Sequence, residues 1–512
     1  MHPVAALIAV GVFYAAVFAI GLYAGRRRAA GGGSAGLLVA GRRMPLLIGA
    51  LTMTATWVGG GYINGTAEAV YDTARGLVWA QAPWGYALSL VLGGLIFARK
   101  MRRLGFTTLL DPFERRYGRQ VPAVLFLAAL VGEVFWSAAI LAALGTTFGT
   151  ILGFDFRTAI LVSAAIAMAY TMLGGLWAVA YTDVLQLACI LLGLGVAIPY
   201  ALDHAGGLSA VLASYAERGP AASLIPPLAA WSSGGEWGNR GWYWLDLALL
   251  LILGGIPWQV YFQRVLASRT PGGAARLSVF AGVGCLVMAI PAGLIGAIGS
   301  GADWVAAGAG DAPQPALVLP YVLCYLTPPI VATVGLGAVA AAVMSSVDSS
   351  ILSASSMFAW NVYRPLFRPS AGDREIRMAV RMAILVVGAA ATGLALTVQS
   401  VYGLWYLCAD LVYVVLFPQL VMALFFRGAN RVGASAGIVV GVVLRLVGGE
   451  PLLGIPALIQ YPMQDPDLGN LFPFRTLAML ASLVTIWVVS KLSVRWNPPC
   501  PLTNPTQEAA DA

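Results

Sequence analysis

Apolar residues in this chain neither alternate nor form narrow stripes; they run together in long blocks separated by short, arginine-bearing breaks. About 20 apolar residues let a helix cross a bilayer. On that measure the chain is predicted to hold about thirteen spanning helices, at 4–24, 45–66, 76–98, 121–150, 157–178, 182–202, 242–263, 277–299, 328–360, 375–398, 402–426, 432–449 and 474–492. Arg26-Arg27-Arg28 follows the first block, whereas a cleaved signal peptide carries its charge before the apolar stretch. The block is therefore expected to be a spanning helix with the N-terminus outside. The fold class is an all-α membrane protein, a single transmembrane domain over 1–494 followed by a short cytoplasmic tail, 495–512.

Composition agrees with the pattern. Hydrophobic residues make up 59% of 512 positions and charged residues 10%, against about a quarter charged in soluble domains. Lipid must be the solvent for most of this surface. The net charge of +8 does not point to nucleic acid, because the arginines fall in alternate loops: Arg42-Arg43, Arg99 to Arg116, Arg264 to Arg276, Arg364 to Arg374, Arg427 and Arg431, and Arg495. That is the bias of cytoplasmic loops, and it puts the C-terminus inside. The opposite loops, such as 203–240 and 300–320, hold Trp, Gly and Pro. The five cysteines show no metal-ligand spacing. No nucleophile–base constellation appears, and about twenty residues follow the last helix, so neither an enzyme nor a sensor with a signalling domain is expected.

Two helices are interrupted. The second carries Trp57-Val58-Gly59-Gly60-Gly61 and Gly65; the seventh carries Gly254-Gly255-Ile256-Pro257-Trp258. Each Gly costs about 1 kcal/mol in a helix and Pro about 3, and broken backbone survives in lipid only where protein or a water cavity covers it. Packing kinks are the plain alternative. The breaks lie five helices apart, however, and interrupted segments in corresponding positions of two inverted halves point to a transporter's central site. The ninth helix adds Ser345-Ser346-Val347-Asp348-Ser349-Ser350 with Ser353, Ser355 and Ser356. Small hydroxyls suit helix packing, but an intramembrane aspartate asks for a function, and oxygen ligands suit a hard cation such as sodium.

Four strings, Thr52 to Glu68 (TMTATWVGGGYINGTAE), Gly254 to Gln259 (GGIPWQ), Ser349 to Phe358 (SSILSASSMF) and Tyr402 to Leu407 (YGLWYL), resemble the high-affinity choline transporter branch of the sodium/solute symporter family. The likeness runs from the first helix to about residue 492. It implies thirteen helices with the inverted five-helix repeats of the leucine-transporter-like fold, helices 2–6 (about 45–202) and 7–11 (about 242–426). It also implies a sodium site at Ala55, Val58, Ala342, Ser345 and Ser346. Some members hold a second sodium near the aspartate of a Tyr-Thr-Asp segment, here Tyr181-Thr182-Asp183. Asp348 and Ser349 stand where those relatives have serines, so Asp183, Asp348 and Ser349 form a possible second ion site, and Asp348 either binds an ion or pairs within the bundle. Sodium is the co-transported ion, and chloride remains open as a companion.

The resemblance places the substrate among Trp57, Tyr86, Trp136, Trp258 and Trp405. Choline is a quaternary ammonium with no N–H to donate, so aromatic faces are its natural partners. The expected activity is sodium-coupled import of choline across the plasma membrane by alternating access, with no obligate protein partner. The alternative is a symporter of the same fold for betaine or proline. It would need a cation for the substrate carboxylate, and no arginine is expected mid-membrane near the breaks. Trp79, Trp84, Trp231, Trp237, Trp242 and Trp244 are read as interfacial or packing residues. Glu133 and Asp246 either shape the cation's path or are structural, and Glu450 is expected at the outer surface.

Overall fold

A computed structural model describes residues 11–12, 15–21, 23, 33–152, 155–232, 237–397, 401–450, 454–466 and 468–502. Most of the expected first helix and its Arg26–Arg28 flank lie outside the described residues, as does 503–512 of the tail. Among the described residues, nine helices are long and apolar enough to cross a membrane, and a bent pair makes a tenth.

That pair is α1 (Leu46–Trp57) and α2 (Gly60–Tyr71), bent by 54°. α3 covers Leu77–Arg103, α4 Gln120–Leu152 and α5 Phe156–His204. The seventh predicted helix is likewise two pieces, α6 (Arg240–Gly254) and α7 (Gln259–Ala267). α8 (Pro271–Gly301), α9 (Pro329–Met357), α10 (Asp373–Thr397), α11 (Val401–Leu411), α12 (Arg431–Val447) and α13 (Phe474–Ser493) follow. The 203–240 and 300–320 regions, expected to be loops, carry two short helices, Leu208–Ala216 and Val318–Tyr325.

One boundary moves. The fifth and sixth predicted helices were split at 178–182, but the backbone turns at Gly175, with φ 56° and ψ −155°. A Cβ there would also strike Leu37, so glycine is required twice over. Tyr181-Thr182-Asp183 thus lies within a helix rather than at its entrance, and Asp183 is fully buried.

α9 is the axis of the bundle: every residue from Ala338 to Met357 is buried. Its serines therefore face protein on all sides. The outer helices instead turn apolar stripes outward, such as Phe280, Val283, Val287 and Ile290 on α8, spaced three or four apart as one helix face requires. Arginine-rich segments gather at one end. Arg42 donates to Gly105 O (2.5 Å), Arg102 to Ser268 O (2.7 Å), Arg269 to Arg43 O (3.1 Å) and Arg116 to Cys500 O (2.6 Å). Arg264, counted with these loop arginines from the sequence, is not among them; it is fully buried in the bundle.

At the other end Asp246, Asp410 and Glu450 meet two arginines. Arg445 lies 2.5 Å from both Asp410 and Glu450, and Arg475 lies 3.3 Å from Asp410 and 3.5 Å from Asp246. Asp246 also accepts from Thr476 N and Oγ1 at 2.8 and 2.6 Å. Asp246 and Glu450 are thereby structural, clamping α6 and α11 to α12 and α13. Removing one partner of a buried ion pair leaves an uncompensated charge, at about 3–5 kcal/mol. Asp410→Ala is accordingly expected to lower the unfolding temperature of the purified protein markedly, measured by fluorescence-detected melting in detergent.

Candidate functional site

Both helix breaks are bordered by a tryptophan. α1 stops at Trp57 because Val58 leaves the helical region (φ −86°, ψ 58°) and Gly59 is extended. Gly59 sits so close to Ser346 Oγ that a Cβ would collide with it. α6 stops at Gly254, after which Pro257 cannot donate an N–H and Trp258 is extended (φ −104°, ψ 137°). Trp258 Nε1 turns back to Gly254 O at 2.8 Å. The two half-helices present their C-terminal, partially negative ends to the same interior region.

Five aromatic rings fill that region. Trp57 is 4.8 Å from Tyr86, 5.8 Å from Trp136 and 6.4 Å from Trp258, centroid to centroid. Trp136 and Trp258 are 5.4 Å apart, edge to face, and Tyr86 and Trp405 5.5 Å. Exposure of the five is 3–5%. All five rings singled out from the sequence are therefore in one contact cluster, drawn from α1, α3, α4, α11 and the break between α6 and α7. Tyr62, which the sequence reading passed over, stacks on Tyr86 at 6.3 Å. The rings pack directly on one another, so a ligand entering the cluster must part them.

The flank of the cluster is polar. Glu133, one turn before Trp136 on α4, is buried; its Oε2 accepts from Ser350 Oγ at 2.6 Å while Oε1 has no partner. A hollow above the cluster is lined by Asn64, Glu68, Trp79, Gln81, Trp405 and Tyr406. Trp79 and Trp237 stack at 6.2 Å and Trp84 and Trp244 at 5.3 Å, so these four pack on one another at that end.

The expected sodium residues converge on the end of α1. The last carbonyls of a helix have no partner within it, and here α9 supplies one for two of them. Ser345 Oγ donates to Ala55 O at 2.9 Å and lies 3.0 Å from Ala342 O; Ser346 Oγ donates to Thr56 O at 2.8 Å. Val58 N–H donates to Thr54 O at 2.8 Å, closing the helix. Carbonyls and hydroxyls alone meet here, and a hydroxyl can turn its hydrogen away and offer a lone pair to a cation instead. The donor set fits a sodium ion.

The three further residues do not share one ligand point. Asp348 Oδ2 accepts from Tyr170 OH at 2.5 Å. Asp183 Oδ2 accepts from Thr52 Oγ1 and lies 3.3 Å from Arg264 Nη2, which also donates to Ser349 Oγ at 2.6 Å. Arg264 overturns the expectation that no arginine lies mid-membrane near the breaks. It does not provide a free partner for a substrate carboxylate, because Asp183 and Ser349 hold it. Directly after the predicted end of the seventh helix at 263 and followed by Arg269 and Arg276, it reads in the sequence as a loop arginine.

The family model for the sodium:solute symporter family matches residues 37–441. The high-affinity choline transporter 1 of Homo sapiens is 50% identical over 505 residues, with 95% of this chain and 85% of the relative covered. That of Caenorhabditis elegans is 48% identical over 515 residues, covering 96% and 85%. The osmoregulated proline transporter of Bacillus subtilis is 23% identical, over 86% of this chain and 88% of the relative. Among solved structures, a sodium-coupled sialic acid symporter superposes with a TM-score of 0.79 at 17% identity, covering 95% of this chain and 97% of that one. The fold is that of a sodium-coupled symporter, and this chain, a multi-pass membrane protein, belongs to the sodium:solute symporter family.

Proposed function

We propose that this protein imports choline across the plasma membrane, coupled to sodium, with Trp57, Tyr86, Trp136, Trp258 and Trp405 forming a cation–π cage. The observation that carries the reading is the contiguity of these rings at the facing C-termini of α1 and α6. A quaternary ammonium cannot accept or donate a hydrogen bond, and it favours ring faces and negative dipole ends over a tight ion pair. Each face contributes up to about 2 kcal/mol when desolvated. Three or four faces give roughly 6–8 kcal/mol, close to the 8.2 of a micromolar complex before association costs.

In this reading ten of thirteen helices form two inverted five-helix repeats, helices 2–6 (about 45–202) and 7–11 (about 242–426), within one domain over 1–494, with the N-terminus outside. The gathered arginine loops and the 495–512 tail are cytoplasmic. Sodium binds Ala55, Val58, Ala342, Ser345 and Ser346, displacing the hydroxyl hydrogens from the α1 carbonyls and tying α9 to the broken helix. That fixes the angle at which Trp57 faces the cage. Choline enters from the hollow beside Trp405, the outer rings close, and both cargoes leave inward. One sodium with one choline moves two charges, worth roughly 4.6 kcal/mol at 100 mV, and a tenfold sodium gradient adds about 1.4. Chloride has no assigned role in this scheme.

Radiolabelled choline uptake in proteoliposomes tests the reading: accumulation above the external concentration is expected with an inward sodium gradient and not without one. Failure to accumulate under the gradient would reject it. Trp136→Ala is expected to reduce uptake at micromolar choline to background at unchanged protein content, with Trp136→Phe keeping part of it. Ser345→Ala combined with Ser346→Ala is expected to raise the sodium concentration for half-maximal uptake by at least tenfold; an unchanged sodium dependence would remove these hydroxyls from the ion site.

A further inference from the structure

The fully buried Arg264 is left unused by the transport scheme. It rises from α7, the second half of the broken helix, and its contacts come from three other helices. Its Nη2 lies 2.6 Å from Ser349 Oγ on α9 and 3.3 Å from Asp183 Oδ2 on α5; Nε lies 3.4 Å from Thr52 Oγ1 on α1; Nη1 reaches Val260 O at 3.2 Å within α7 itself. A carboxylate, two hydroxyls and a carbonyl, all dry, therefore surround one positive group. That oxygen set would serve a sodium ion equally well. A guanidinium does not lose its proton in proteins, so the charge is permanent, and a side chain, unlike an ion, cannot leave.

We infer that Arg264 is a resident cation occupying the second ion position, so that this carrier binds one sodium per chain, at Ser345 and Ser346. The inference deepens the sodium-coupled reading and rests on it. The two positions are adjoining. Ser349 Oγ donates to Ser345 O at 2.9 Å and lies 3.2 Å from Thr56 Oγ1, while Ser345 Oγ and Ser346 Oγ bond Ala55 O and Thr56 O. Arg264 thus holds the far wall of the sodium site in place without entering it. Coulomb repulsion between the fixed guanidinium and any second sodium at Asp183 Oδ2 would exclude the latter.

Equilibrium binding of ²²Na⁺ to purified protein in nanodiscs counts the ions without using choline, so the result stands apart from the substrate assignment. Wild type is expected to bind one sodium per chain, and Ser345→Ala/Ser346→Ala none. Arg264→Ala bares Asp183 and is expected to bind two. Asp183→Asn/Arg264→Gln, which removes both charges together, is expected to return to one. Two ions on the wild type, as would follow if Asp348 and the unpartnered Oδ1 of Asp183 hold a sodium beside the guanidinium, would overturn the inference. So would a single ion on folded Arg264→Ala. The wild-type count decides the matter even where Arg264→Ala fails to fold.

Discussion

Backbone that leaves the helix inside a bilayer must find partners within the protein, since hydrocarbon offers none. Among the described residues the spanning backbone breaks after Trp57 and after Gly254, and much of the interior is arranged around those two exposures. At the first break the freed carbonyls of Ala55 and Thr56 are taken by Ser345 and Ser346. At the second, Gly254 O is taken by the indole of Trp258. The carbonyls that need partners are also the groups that can hold a cation, so satisfying the backbone and building an ion site are one structural task.

The same breaks account for the aromatic cluster. The breaks place Trp57, the last residue of α1, and Trp258, the residue just before α7, at the centre of the bundle. The remaining rings arrive from uninterrupted helices packed against the breaks. The neighbouring groups are helix C-termini, hydroxyls and the Glu133 carboxyl held by Ser350, so the rings sit among partial negative charges. Such a field suits a cation whose charge is sheathed in methyl groups.

α9 serves several neighbours along one side. Ser345 and Ser346 close the end of α1, while Ser350, one turn on from Ser346, binds Glu133 next to Trp136, and Ser349, one turn on from Ser345, joins the Arg264 cluster. Serine serves each role because it is small enough for close helix approach and carries an oxygen that can donate or accept. The arginine clamps at the end opposite the arginine-rich loops, Arg445 and Arg475 with Asp246, Asp410 and Glu450, work differently: they fix the scaffold through buried charge rather than through exchangeable hydroxyls.

How far the sequence carried the reading follows from which forces are local. The placement of most spans, the break positions and the end of the bundle rich in arginine were legible, because hydrophobic length, Gly–Pro chemistry and charge asymmetry all act along the chain. The five rings and the serine pair came from motif likeness, and the structure brings each of them together. The turn at Gly175 was misplaced by several residues, because neighbouring apolar spans without a polar loop leave no compositional edge; only the packing of Leu37 against a positive-φ glycine locates it. Asp246 was left between two roles, Glu450 was given a place but no partner, and Arg264 was assigned wrongly, for one reason. Whether a charge near a helix end lies in water or in the core depends on its partners, and Asp183 and Ser349 lie 81 and 85 residues away in sequence. Long-range pairing of buried charge was therefore decided by the tertiary structure alone.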